Sequence, residues 1–169
     1  MKTKVQISDK SIETAGLPSD YKEAIAEFIW NSFDAKAAQV KIKFDDTNAI
    51  GNLTTFFIED NGDGINFNNL SNTFGAFLDS EKKNNHQRTS YVHGKKGKGR
   101  FSFEVFASKA TWNTTYFDDA KKKFINYCIE VDSSTKDYFA PSEKIELGLE
   151  AKNSSTKVCF ESCCAQASC

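Results

Sequence analysis

Hydrophobic positions recur along this chain with two periods, and the change between them marks its elements. Over residues 21–37 the period is helical: at about 100° per residue, Ile25, Phe28 and Ile29 form an apolar stripe with Phe33 on its flank. Pro18, Ser19 and Asp20 precede it, a stop followed by two N-cap candidates. The period then drops to two. Residues 40–44 read V-K-I-K-F and 53–59 read L-T-T-F-F-I-E, joined by the turn-like D-D-T-N-A-I-G-N. Residues 3–8 alternate weakly, as an edge strand would. Asp60-Asn61-Gly62-Asp63-Gly64 suits neither helix nor strand. A short helix is predicted over 68–78. Residues 79–93 are polar and aperiodic, a loop of the length that serves as a lid or binding loop. The Gly-rich run 94–99 follows, then a helix beginning over 100–107. Strands are predicted at 109–117, 123–131, 144–149 and 157–161, with D-D-A-K-K turning between the first two. Helices early and consecutive strands late predict an α+β fold: one mixed, mainly antiparallel sheet with helices on one face.

Composition changes this picture in a few places. Fifteen Phe and two Pro in 169 residues supply a core and few forced breaks. The formal net charge of −1 gives no global pull toward nucleic acid or an anionic membrane, so any anion site must be a local cluster. The N-terminus M-K-T-K-V-Q-I-S-D-K lacks the apolar run of a signal peptide, and no apolar run reaches membrane-span length. A soluble, cytoplasmic chain without a membrane partner is expected. Four of the five cysteines fall in the last eleven residues, C-F-E-S-C-C-A-Q-A-S-C. An odd count without a signal peptide argues against a disulfide framework. Zinc stays open on spacing, although no His lies nearby and no CxxC pair occurs. One domain over 1–162 is expected, with 163–169 as a Cys-rich tail or cut end.

Three segments carry candidate chemistry. Glu27, Asn31 and Asp34 fall at i, i+4 and i+7, on the side of the helix away from its apolar stripe. A solvated face is the plain alternative, but the borders are Ala24, Ala26, Trp30, Ala35 and Ala38, which suits a cavity wall. An Asn amide oxygen can ligate Mg²⁺, and a Glu one turn away can deprotonate a water. In F-F-I-E-D-N-G-D-G-I an apolar strand delivers a carboxylate and two glycines follow. A simple strand-to-helix turn is one reading. A calcium loop is not, because Asp60-Asn61-Gly62 breaks the EF-hand pattern. The other reading has Asp60 recognising an adenine amino group, with Gly62 and Gly64 admitting backbone to the ring. In H-G-K-K-G-K-G-R-F-S-F, Gly94, Gly97 and Gly99 alternate with Lys95, Lys96, Lys98 and Arg100 ahead of a predicted helix. Exposed backbone N–H groups and cations suit phosphate. The run fits neither a Walker A nor a Rossmann loop, and a basic loop touching nucleic acid is the alternative.

In this order the segments resemble the Bergerat ATP-binding fold of the GHKL superfamily (gyrase B, Hsp90, histidine kinases and MutL). E-F-I-W-N-S-F-D-A resembles its N box, D-N-G-D-G-I its D-x-G-x-G box, and G-K-K-G-K-G its G-x-x-G-x-G box at the hinge of an ATP lid. Ser155-Thr156-Lys157-Val158 is similar to a late G-T-[KR]-[IV] strand, with Ser in place of Gly. The resemblance implies a two-layer sandwich and the following roles. Glu27 is the general base and Asn31 the Mg²⁺ ligand. Asp34 closes the N box. Asp60 binds the adenine amino group, aided by Thr156. Gly62, Gly64 and Ile65 line the adenine side. Gly94 through Arg100, with Phe101, wrap the phosphates.

The Glu-Asn-Asp combination is closer to Hsp90, MutL, gyrase B and MORC-like members than to histidine kinases. Ser80 and Lys83 are similar to a pair before the lid in MutL and MORC proteins, which adds Lys83 to the nucleotide contacts. The implied activity is Mg-ATP binding with slow hydrolysis to ADP, coupled to lid closure and a nucleotide-dependent homodimer. The resemblance also implies that catalysis is completed by a transducer or partner domain, which is expected to come from outside this sequence. Nucleic acid would enter only indirectly. The alternatives are an ATP-sensing module that never hydrolyses, and a histidine-kinase-type domain, with His86 and His93 in the lid.

Overall fold

The structure is a computed structural model that describes residues 3–4, 20–45, 55–74, 99–135, 138–148, 153–161 and 163. Its strands are β1 (Thr3–Lys4), β2 (Val40–Asp45), β3 (Thr55–Asp60), β4 (Lys109–Asp118), β5 (Lys123–Asp132), β6 (Tyr138–Pro141), β7 (Ile145–Glu146) and β8 (Ser155–Glu161). They form one sheet in the order β1-β6-β5-β4-β8-β3-β2, with β7 also on β5. Every pairing among the described residues is antiparallel. The last strand, β8, therefore lies between β3 and β4, at the sheet's centre.

Register aligns the inward side chains in rows across the sheet. Phe44, Phe56, Phe160, Ala110 and Val131 form one row, and Ile42, Ile58, Val158, Trp112 and Ile129 the next. A third row, toward one end, reads Val40, Asp60, Thr156, Thr114 and Tyr127. From β3 to β5 the first two rows are the core floor, while Phe44 and Ile42 on the edge strand β2 are exposed; the third row turns polar. The opposite face is partly solvated, with Lys43–Glu59 and Lys109–Glu130 ion pairs and Lys157 over the Phe57 ring.

Helix α1 (Tyr21–Asp34) covers the core rows. Asp20 starts it from extended backbone and accepts from Lys22 N at 2.8 Å. The helix stops short of the predicted residue 37. Lys36 takes φ +61°. Lys36 N then donates to Phe33 O, and Ala37 N to Ser32 O, a Schellman closure made without glycine. The buried positions are Ala24, Phe28 and Ser32. Phe28 meets Phe160 edge-on at 4.8 Å, and Phe56 stacks on Phe160 at 4.6 Å, so the abundant Phe forms the centre of the core.

Other predicted elements differ from what is observed. Over 68–78 there is a 3₁₀ turn, Phe67–Asn69, and a four-residue helix α2, Leu70–Thr73. Residues 100–107 hold a 3₁₀ helix, Gly99–Val105, in place of an α-helix. Three residues per turn align Arg100 and Phe103, with Phe106 just beyond, and all three are buried. Of the strand predicted over 144–149, Ile145–Glu146 is the strand among the described residues, while β6 was not foreseen. Cys163, assigned by sequence to the tail, packs against the core. Residues 5–8, 53–54, 75–78, the loop 79–93 and residues 94–98 lie outside the described residues.

Candidate functional site

Asp60 ends β3 in the polar row and is only 8% exposed. A buried carboxylate needs donors. Ser32 Oγ donates to its Oδ2 at 2.9 Å, and Gly62 N to its Oδ1 at 2.9 Å. The Ser32 hydroxyl has an alternative acceptor in Phe28 O, at 3.2 Å. These two donors leave part of the carboxylate's accepting capacity free. Its neighbour across the strand pair is Thr156, and the next strand carries Thr114. Their hydroxyls lie 3.1 Å apart, and both residues are buried. Ser32→Ala removes one donor from a buried acceptor, so it is expected to destabilise the fold by about 1–3 kcal/mol. Urea denaturation checks this; a stability equal to wild type would mean that the hydroxyl does not support Asp60.

The turn after Asp60 is fastened on both sides. Asn61 Oδ1 accepts from Ala38 N at 3.0 Å and Gln39 N at 2.8 Å. Asp63 N donates to Ala35 O at 2.8 Å. On the other side, Ile65 N donates to Thr114 Oγ1 at 2.9 Å, and Tyr127 Oη to Ile65 O at 2.9 Å. Burial lifts the Tyr127 phenol well above its ordinary pKa, which keeps it a donor. Both glycines are dictated by close approach. A Cβ on Gly62 would lie 2.6 Å from Ala35 O. Gly64 has φ +73°, and a Cβ there would lie 2.1 Å from Thr115 O.

On α1, Glu27 is half-buried, whereas Asn31 and Asp34 are exposed. The buried stripe runs through Ala24, Phe28 and Ser32, not through Ile25, Phe28 and Ile29. Glu27, Asn31 and Asp34 therefore flank the buried stripe instead of opposing it. The far side carries Trp30 and Phe33, each about half exposed.

The third segment is placed differently from expectation. Arg100 is turned into the core, its guanidinium against the Phe74 and Phe101 rings and its Nη1 donating to Thr73 O. Its planar group stacks on the aromatic faces, which favours burial over a solvent-facing loop position. Phe101 is a core residue at 3% exposure. Lys83, Gly94, Lys95, Lys96, Gly97 and Lys98 lie outside the described residues, and Gly99 opens the 3₁₀ helix. Three residues of the site were missed by sequence reasoning: Ser32, Thr114 and Tyr127. Ser32 and Thr114 had a readable signal, a hydroxyl at a position whose periodic neighbours, Phe28 and Trp112, face the core.

This chain belongs to the histidine kinase-, DNA gyrase B- and HSP90-like ATPase family, whose model matches residues 19–158. Membership makes ATP its nucleotide. Among solved structures it is similar to the crystal structure of the N-terminal domain of a DNA repair protein, at 20% identity and a TM-score of 0.54. That match covers 92% of this chain and 39% of the other, so the two share a fold and this chain spans well under half of that one. No curated protein matches the chain. No helix among the described residues is long and apolar enough to cross a membrane.

Proposed function

We propose that residues 1–162 are an ATP-binding domain that takes the adenine 6-amino group on Asp60 and slowly hydrolyses Mg-ATP. The observation that carries this reading is the Asp60 carboxylate. It is buried, held at the end of a central strand by Ser32 and Gly62 N, and retains capacity for another donor. Gly62 and Gly64 let the turn after Asp60 close tightly on Ala35 O and Thr115 O, which fixes the carboxylate's position, and Thr156 pairs across from Asp60.

Asn31, exposed on α1, offers its amide oxygen to Mg²⁺. When bound, the ion neutralises charge on the phosphate oxygens. Glu27, one turn earlier and half-buried, takes the proton from the attacking water. Asp34 lies on the same flank of α1 as these two. The Gly-rich run from Gly94, with Lys95, Lys96, Gly97 and Lys98, cradles the phosphates, and Lys83 adds charge. Closure of this lid over ATP, and a homodimer formed with it, would couple nucleotide state to a partner or transducer domain. A cytoplasmic location accords with this reading.

Glu27→Ala separates binding from chemistry. ATP affinity should stay within about threefold, since Glu27 contacts water and not nucleotide. Phosphate release should fall by on the order of 10²–10⁴-fold. Turnover that survives Glu27→Ala would remove Glu27 from the mechanism. A wild type that binds ATP and releases no phosphate would leave a nucleotide sensor.

A further inference from the structure

Strand β2 (Val40–Asp45) ends the sheet, with β3 along one edge and no strand along the other among the described residues. An open edge presents backbone N–H and C=O groups to any chain that can add a strand. The side chains on it are equally exposed. Ile42 and Phe44 share the core side of the sheet with Ile58 and Phe56, yet they are 40% and 64% exposed. Lys41, Lys43 and Asp45 alternate on the opposite face.

Lysines on an edge strand commonly keep other strands away. Here Lys43 is ion-paired with Glu59 of its own chain at 2.8 Å, so its charge is met locally. Lys41 is left as the guard, and Asp45 lies four residues beyond it on the same face. That spacing makes the edge complementary to itself.

A second copy can add to β2 in few ways. A two-fold axis normal to the sheet makes the strands antiparallel and keeps the two core sides together. Residues directly opposite then share a face, so the axis must pass through a residue. The two longest registers are centred on Ile42, spanning Val40–Phe44, and on Lys43, spanning Lys41–Asp45. The first sets Lys41 of each copy against Lys43 of the other, and like charges opposite one another repel. The second sets Lys41 against Asp45 and Ile42 against Phe44, each twice. The two Lys43 side chains meet at the axis, each beside its own Glu59.

We propose that β2 is a homodimerisation edge, at which two copies join antiparallel about Lys43 into one continuous sheet. Reciprocal Lys41–Asp45 ion pairs fix the register, and reciprocal Ile42–Phe44 contacts cover the exposed apolar side chains. This contact needs neither nucleotide nor lid closure, so it is distinct from a homodimer driven by ATP. One short strand from each copy buries less than a standard interface, so the dimer exchanges with monomer.

Sedimentation velocity without nucleotide, from about 10 μM to about 1 mM protein, tests the proposal. Wild type should move from monomer to dimer across this range. Asp45→Lys and Lys41→Asp each turn the reciprocal pairs into like charges, and each variant alone should associate about tenfold more weakly or worse. An equal mixture of the two variants should regain wild-type association, because one copy then brings two carboxylates and the other two ammonium groups. Circular dichroism verifies that each variant folds.

A wild type that stays monomeric overturns the proposal, as does a dimer that Asp45→Lys leaves unchanged. A mixture that associates no better than either variant alone also overturns it. That is the result expected if the lysines only guard the edge, or if β2 receives a strand of another protein. Lys41 is the cross-strand neighbour of Glu59. Should Lys41→Asp fail to fold for that reason, Asp45→Lys and Ile42→Glu decide: both must weaken the dimer, and a dimer that either leaves intact overturns the proposal. No ATP enters these measurements, so their failure leaves the ATP-site reading untouched.

Discussion

Asp60→Asn is expected to weaken ATP binding by about 2–4 kcal/mol, roughly 30- to 1000-fold, without unfolding the chain. The amide preserves volume but replaces one acceptor oxygen by an NH₂ group. Ser32 Oγ and Gly62 N already donate to the two carboxylate oxygens. With its NH₂ toward Gly62 N the amide faces a donor with a donor; toward Ser32 the hydroxyl can turn to Phe28 O and accept, and either way one acceptor oxygen remains where the carboxylate offered two. Calorimetric titration of both proteins measures the loss, and far-UV circular dichroism verifies the fold. Affinity within twofold of wild type would remove Asp60 from nucleotide recognition.

Gly64→Ala should damage the fold itself, by about 2–4 kcal/mol. Two costs combine. The residue sits at φ +73°, where an L side chain costs roughly 1–2 kcal/mol. Its Cβ would also lie 2.1 Å from Thr115 O, a backbone atom of a central strand that cannot swing aside. The turn must then back away from β4, stretching the Ile65 N–Thr114 and Tyr127–Ile65 hydrogen bonds. Urea denaturation reads this as a lower midpoint with an unchanged slope. A shift below about 0.5 kcal/mol would mean that the turn does not pack as described.

What the sequence revealed follows from how local each signal is. Helix α1 was readable because Asp20 caps it and apolar residues recur at helical spacing from Ile25 to Phe33. The strands at 40, 109 and 123 alternate cleanly. Asp60, Gly62 and Gly64 were readable because few other residues can fill such a turn. Distant contacts set the rest. The burial of Ser32 depends on α1 being rotated against a sheet whose centre is β8, a strand about 120 residues further on. The inward turn of Arg100 depends on Phe74 and Thr73, which are remote from it in sequence. The 3₁₀ geometry of Gly99–Val105 follows from burying Phe at short spacing, which an α-helical reading of the same residues does not show.

The central claim is that Asp60 recognises the 6-amino group of adenine. The direct measurement is a calorimetric comparison of ATP with purine riboside triphosphate, which lacks only that group, on wild type and Asp60→Asn. Wild type should prefer ATP by about tenfold or more, and Asp60→Asn should bind the two analogues about equally. Equal affinities in wild type, or a preference that survives intact in Asp60→Asn, would contradict the account.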